Sequence, residues 1–468
     1  MRLTKSKNAN INYLAKIVEL KEFHSHPDPE VTKLKCTYVD GYNIIVGIDN
    51  EPGKYIYFPT SSTINPQFLS FANLYRHAEK NSNPELTGMF EDNGRVKAIK
   101  LRGCISEGFL LPINIFNNWI IDSTNQQVEN LETNTEFDSV EHNGKSFWVC
   151  KKYVVERRFS SPKGNGYKAQ KNLKRFDRII DNQFRFHYDT EQIKRVPNAI
   201  LPTDLISITS KIDGTSSVNS YILTKKPLTF IQKIGNWLMG KGWSPYEEVY
   251  DYVYSSRTVI KNKYINQSVS SGYYGVDVWG EIDKYLRPYL EKGMTFYSEI
   301  VGFLPNGGWI QKNHDYGCVP PTEGEPYTPE KHYKVRIYRI TLTNVDGIVH
   351  EFSPREVQIW CETHGLHAVD EFYYGLAGNL YPNLKQDVNG EPMYCEDWYN
   401  KFIECLSNDK NFYMELDAPD CVNKVPQEGI VIKIDNMRSA AFKLKTFRHL
   451  NHEGKELDAG IENIEDNA

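Results

Sequence analysis

Over the first quarter of the chain, apolar and β-prone residues come in short clusters. Residues 34–39 (LKCTYV), 43–48 (NIIVGI) and 54–59 (KYIYFP) cluster or alternate them at strand spacing, and Asp40-Gly41 and Pro52-Gly53 punctuate them as turns. Residues 95–113 (RVKAIKLRGCISEGFLLPI) predict two more strands around Gly103 and Gly108. A polar stretch separates these from the second half. From residue 205 the β-rich pattern returns in LISITSKIDGTSSVNSYIL, then in MTFYSEIVGF (294–303), YKVRIYRITLT (333–343), GIVIKI (429–434) and AAFKLKT (440–446). Longer helical or loop stretches separate these strands, which predicts a mixed domain built on a large sheet. One helix start is marked: Ser353-Pro354-Arg355-Glu356 supplies a capping Ser, a Pro at the first helical position and a Glu at the third, and Gly365 stops the helix.

The expected fold class is therefore α+β. Residues 1–118 read as a small closed β-barrel of the OB kind, although strand spacing alone does not separate that from an SH3-like barrel. Residues 119–195 read as a basic connecting region, and 196–450 as the mixed α+β domain. Within it, 366–425 is rich in Tyr, Asp and Asn and reads as an insertion. Residues 451–468 read as an acidic, disordered tail.

Composition narrows the classes. The chain has 468 residues and a formal net charge of −5, enough for two or three domains. Its N-terminus lacks the apolar core of a signal peptide, and no stretch approaches a membrane span, so a soluble, cytoplasmic protein with no membrane partner is expected. Eight cysteines without a CxxC pair read as reduced thiols. Between Lys151 and Arg195, thirteen basic residues face five acidic ones, with Phe184, Phe186 and Tyr188 among the interleaved aromatics. Such a block is either a solvated linker or a phosphate-binding track.

The candidate chemistry centres on Lys211-Ile212-Asp213-Gly214, where an apolar run ends in a lysine and small residues come next. A neutral lysine amine can attack phosphorus, and small residues let a nucleotide approach the backbone. Four residues alone also fit a strand-ending lysine before an Asp-Gly turn. Residues downstream add weight, in order: Arg257 in YSSRTV, Glu299 in FYSEIVG, Tyr338 in VRIYRIT, Glu428 in QEGIVIK, and Lys443 with Lys445 in AFKLKT. Two lysines at i and i+2 on a strand share a face. The cluster Cys361, His364 and His367 in CETHGLH offers only three local ligands and reads as ordinary helix packing.

This series resembles the covalent nucleotidyltransferase superfamily of ATP-dependent ligases and mRNA capping enzymes, over residues 207–446. The resemblance implies that Lys211 carries AMP and that Lys443 and Lys445 are catalytic and touch the α-phosphate. It implies that Asp213, Gly214, Arg257, Glu299, Tyr338 and Glu428 bind the nucleotide, with Glu299 on the ribose and Tyr338 stacked on the base. Glu428 and Asp213 would hold Mg²⁺ or Mn²⁺, and ATP would be the donor.

Within the superfamily, Ser216 stands where DNA ligases and capping enzymes usually have Arg. Those relatives also place their OB-fold after the KxK strand, where only 23 residues remain here. The N-terminal barrel instead looks like the Deinococcus-type RNA ligase family. The implied partner is RNA, or a duplex containing RNA with a nick, joined by a monomer. A DNA ligase, an mRNA guanylyltransferase or an inactive nucleic-acid-binding relative are the alternatives. Ser210 departs from the Glu that RNA ligases commonly carry before the nucleophile.

Overall fold

The computed structural model describes residues 1–155, 178–239, 244–261, 274–388, 391–395, 397–435 and 440–461. Residues 156–177, much of the basic block, lie outside the described residues.

In the N-terminal part, β1 (Ala15–Leu20), β2 (Leu34–Val39), β3 (Tyr42–Gly47), β4 (Gly53–Phe58), β5 (Cys104–Glu107) and β6 (Phe109–Pro112) precede helix α1 (Ile113–Thr124). Strands β6, β4 and β1 pair in that order, with Glu136–Phe137 completing a four-stranded sheet. Ile17, Ile56, Phe58 and Phe137 are fully buried and pack with Phe116 and Trp119 of α1. The expected closed barrel does not form, because the strands of residues 1–152 make separate open sheets. One of the openings lies between β3 and β5. There the Asn43 amide donates to the Ile105 carbonyl (2.6 Å), and the Ile45 N–H donates to Ser106 Oγ (3.0 Å). At this pair, side chains rather than a backbone ladder bridge strands of separate sheets.

The C-terminal part comprises β7 (Leu205–Lys211), β8 (Thr215–Pro227), β9 (Tyr246–Ser255), α2 (Val278–Leu286), β10 (Met294–Gly302), β11 (Tyr333–Thr343), α3 (Pro354–Thr363), β12 (Glu371–Leu376), α4 (Trp398–Asn408), β13 (Gly429–Ile434), β14 (Ala440–Lys445) and α5 (Phe447–Asp458). Two sheets organise it. One runs Glu191–Gln192, β14, β13, β7, β12, and the other runs Ile260–Lys261, β9, β8, β10, β11, Val349–Glu351. Burial of Ile206 and Ile208 on β7 with Ile430 and Ile432 on β13 glues the first sheet to Phe402 and Leu406 of α4. Trp279, Ile282 and Leu286 of α2 cover the second sheet.

The chain crosses from one sheet to the other at Ile212-Asp213-Gly214, between β7 and β8. Gly214 is needed there. A Cβ at that position would stand 2.4 Å from the Ile300 carbonyl oxygen of β10. Lys211 is thus held at the seam between two rigid sheets.

Helix α3 begins at the marked capping box, with the Ser353 and Glu356 side chains bonding reciprocally to each other's backbone N–H, and Gly365 follows it at φ +66°. The 366–425 segment is woven into the first sheet: β12 pairs with β7 itself, and α4 packs on the core beneath it. The tail expected to be disordered from 451 is helical to Asp458, because Thr446 caps α5 and Leu457 is buried. Residues 462–468 lie outside the described residues. Among the described residues, no helix is long and apolar enough to cross a membrane.

Candidate active site

Lys211 ends β7 opposite Gly429, the first residue of β13. Its Nζ lies 2.6 Å from Glu428 Oε1, and Lys445 Nζ lies 3.1 Å from the same oxygen. One buried carboxylate therefore gathers two ammonium groups, each on a side chain that is 15% exposed. On β14, Phe442 and Leu444 are buried in the core, which turns Lys443 and Lys445 to the opposite face.

That face borders a cavity of about 480 Å³ whose walls include Lys211, Arg257, Glu299, Tyr338, Lys443 and Lys445. Lys443 and Lys445 share β14, and the others arrive by separate routes. Glu299 sits on β10 opposite Ser216 of β8, and the Ser216 carbonyl is held by the Trp279 indole N–H at 3.0 Å. Tyr338 sits on β11, with its hydroxyl 3.3 Å from Ser216 Oγ. Burial, with Glu299 nearby, pushes that hydroxyl pKa well up, so it stays protonated. The His187 ring meets Tyr338 edge-on at 5.0 Å. Arg257 pairs with Asp189, which also accepts from the Asn10 amide of the N-terminal part at 2.6 Å.

Asp213 has a different setting. Its backbone N–H donates to Tyr316 OH (2.8 Å), and its Oδ2 accepts from the Gln311 amide (3.3 Å). His314 Nε2 and His449 Nδ1 approach the same oxygen at 3.7 and 3.8 Å. His449 Nε2 is 3.9 Å from Glu428 Oε1, so this imidazole stands between the two carboxylates. Burial, then Lys445, pushes the His449 pKa down to about 4, which keeps it neutral near pH 7. Lys433 of β13 is likewise pushed down to about 8 by burial, and it donates to the Tyr338 carbonyl.

Six sequence-derived residues, Lys211, Arg257, Glu299, Tyr338, Lys443 and Lys445, therefore meet on one cavity, with Glu428 behind two of them. Gly214 acts through close backbone approach. His187, Gln427, Lys433 and His449 were not found by sequence reasoning. Gln427 and Lys433 lie inside the QEGIVIK run, so adjacency to Glu428 was the available signal; His187 and His449 had none. Cys361, His364 and His367 do not converge. Cys361 is core, His364 stacks on Trp360 at 3.9 Å, and His367 faces Glu330.

The donor set suits a nucleoside triphosphate: six lysines and two arginines line the cavity, and the Glu428 carboxylate lies beside the Lys211 amine. Among the described residues, no three His, Cys, Asp or Glu side chains form a metal cage. A Mg²⁺-like ion that keeps water and takes its other ligands from phosphates needs only one or two protein carboxylates; Glu428 stands beside Lys211 and Lys445, while the His449 ring separates it from Asp213.

Neither protein-family models nor curated proteins match this chain. Solved structures do. An aspartate-to-alanine mutant of the RNA ligase of Naegleria gruberi, without ligand, aligns with a TM-score of 0.50 at 13% identity, covering 95% of this chain and 98% of that one. The chain shares the fold of an RNA ligase. The same enzyme with PPi aligns at 0.49 and 13% identity, over 95% of this chain and 100% of that one. A lysine-to-alanine mutant of it with ATP and Mn aligns at 0.49 and 13%, over 95% and 99%.

Proposed function

We propose that the chain is an ATP-dependent RNA ligase that joins a 3′-hydroxyl to a 5′-phosphate through AMP on Lys211. The observation that carries this reading is the Lys211 amine, 2.6 Å from Glu428 on the wall that also bears Lys443 and Lys445. In the first step the Lys211 ammonium loses a proton, for which Glu428 Oε1 is the acceptor within reach. Nζ then forms a P–N bond at the α-phosphorus, and the bond to the β-phosphate oxygen breaks, releasing pyrophosphate. Lys443 and Lys445 offset the negative charge that gathers on the α-phosphate oxygens. Glu299 accepts from the ribose hydroxyls and Tyr338 packs on the base. Mg²⁺ or Mn²⁺, held by Glu428 and Asp213 together with the phosphates, would neutralise phosphate charge.

In the second step an oxygen of the RNA 5′-phosphate attacks the same phosphorus, and Lys211 leaves as the amine. In the third, a 3′-hydroxyl attacks the adenylylated end and AMP departs. The N-terminal part and the basic connecting region supply the surface for a nicked duplex.

Nick sealing with all four RNA and DNA combinations at the break tests the substrate assignment. Sealing is expected to require RNA on the 3′-hydroxyl side, and equal sealing of all-DNA nicks rejects it in favour of a DNA ligase. Preferential protein labelling by GTP would indicate a guanylyltransferase on the same scaffold.

A further inference from the structure

We infer that Gln427 is a positioning residue for the Lys211 amine, an inference that rests on the reading of Lys211 as the nucleophile. Gln427 is 3% exposed and immediately precedes Glu428. Its amide Nε2 lies 3.0 Å from Ser210 Oγ, 3.4 Å from the Lys211 carbonyl oxygen and 3.0 Å from the Gly429 carbonyl oxygen. Its own backbone is fixed at both ends. The N–H donates to Leu416 O at 3.0 Å, and the carbonyl accepts from Thr446 Oγ1, the cap of α5, at 2.7 Å. One side chain thus ties the nucleophile strand β7 to the Glu428 segment, while its backbone ties that segment to the end of β14.

A clamp is needed at this point. The β7–β13 register ends where Lys211 faces Gly429. Gly429 has φ +150°, and a Cβ on it would stand 2.0 Å from the Leu444 carbonyl oxygen, so β13 is pressed close to β14 here. Glu428 lies one residue beyond this rung, yet it must meet Lys211 and Lys445 together. The amide of Gln427 continues the cross-strand bonding past the last rung. Ser210, the residue that departs from the resembled pattern, contributes its hydroxyl to the clamp. Displacing a reacting group by about 1 Å can cost on the order of a hundredfold in rate.

The test is single-turnover transfer of label from ATP to the protein, run over a range of ATP concentrations. Gln427→Met keeps the bulk and removes both N–H donors. It is expected to lower the maximal rate about ten- to a hundredfold while changing the KM for ATP by less than about threefold. Ser210→Ala removes one acceptor and no bulk, and is expected to slow transfer about three- to tenfold. Combining it with Gln427→Met should cost less than the product of the two single effects. A wild-type rate in Gln427→Met means that packing alone matters and overturns the proposal, as does a loss confined to KM. Should Gln427→Met fail to fold, a wild-type rate in Ser210→Ala still overturns it. Absence of label on the wild-type protein is a different failure, because it removes the reading of Lys211 and this inference with it.

Discussion

Glu428 shows how much one side chain decides in this site. Its carboxylate is 4% exposed and accepts from Lys211 and Lys445, so removing it leaves two partly buried ammonium groups facing each other. Beside it, His449 is neutral for a physical reason that can be measured. Burial lowers its pKa from 6.5 to about 4 in the folded chain. As pH falls through that window the unfolded chain takes up a proton that the folded chain refuses. Stability is therefore complete above about 6.5 and is lost down to about 4, by up to about 3 kcal/mol. His449→Gln should flatten that part of the pH–stability curve in urea titrations. An unchanged slope in the variant would assign the acid sensitivity elsewhere. At this scale the sequence exposed Lys211, Arg257, Glu299, Tyr338, Glu428, Lys443 and Lys445, because each sits in a short run and the order of those runs resembles that of the covalent nucleotidyltransferases. It hid His449 and His187, because they reach the site only through the packing of α5 and of the segment before β7.

Among elements, those with local signals were the legible ones. The capping box of α3 depends on residues three apart, so it could be read without knowing the fold. Ser353→Ala is expected to cost about 1 kcal/mol in chemical denaturation; no measurable loss would mean that the cap is redundant with the packing of Val357 and Cys361. Strand β12 was illegible for the opposite reason. Its sequence, EFYYGL, lies in a stretch with no repeat or motif, and its place beside β7 is set by pairing across more than 150 residues of chain. The N-terminal strands were visible, but their closure was not. Whether two strands share a ladder or are bridged by Asn43 and Ser106 is a question of register, which strand spacing does not encode. Helix α5 reads as tail because its charged residues dominate the segment, while the apolar contact it makes is spread over single positions.

Across the whole molecule, α5 links the N-terminal part to the site. Arg95 is buried and donates to Asp458 Oδ1 at 2.6 Å and to the Gly454 carbonyl at 2.9 Å, and Lys97 reaches Asp458 Oδ2 at 2.8 Å. At its other end, the same helix is capped by Thr446 next to Lys445. Asp458→Ala leaves the Arg95 guanidinium with a single carbonyl partner among these contacts. Because Asp458 is itself partly exposed, the expected loss is moderate, about 1 to 2 kcal/mol, with faster amide exchange along α5. Exchange rates like those of the wild type would show that the two parts do not depend on this contact. The cavity draws walls from both parts, from Asn12 and Lys152 on one side and Lys211 and Glu299 on the other. Both parts thus line the cavity that the Lys211 amine borders.

The proposed chemistry turns on that amine, and mass spectrometry of the intact protein and its peptides after exposure to ATP and Mg²⁺ or Mn²⁺ tests it directly. One AMP, acid-labile, is expected on the peptide that contains Lys211, and none on Lys211→Ala. Wild-type protein that never carries the nucleotide on that peptide, or a Lys211→Ala variant that still carries it elsewhere, would contradict it.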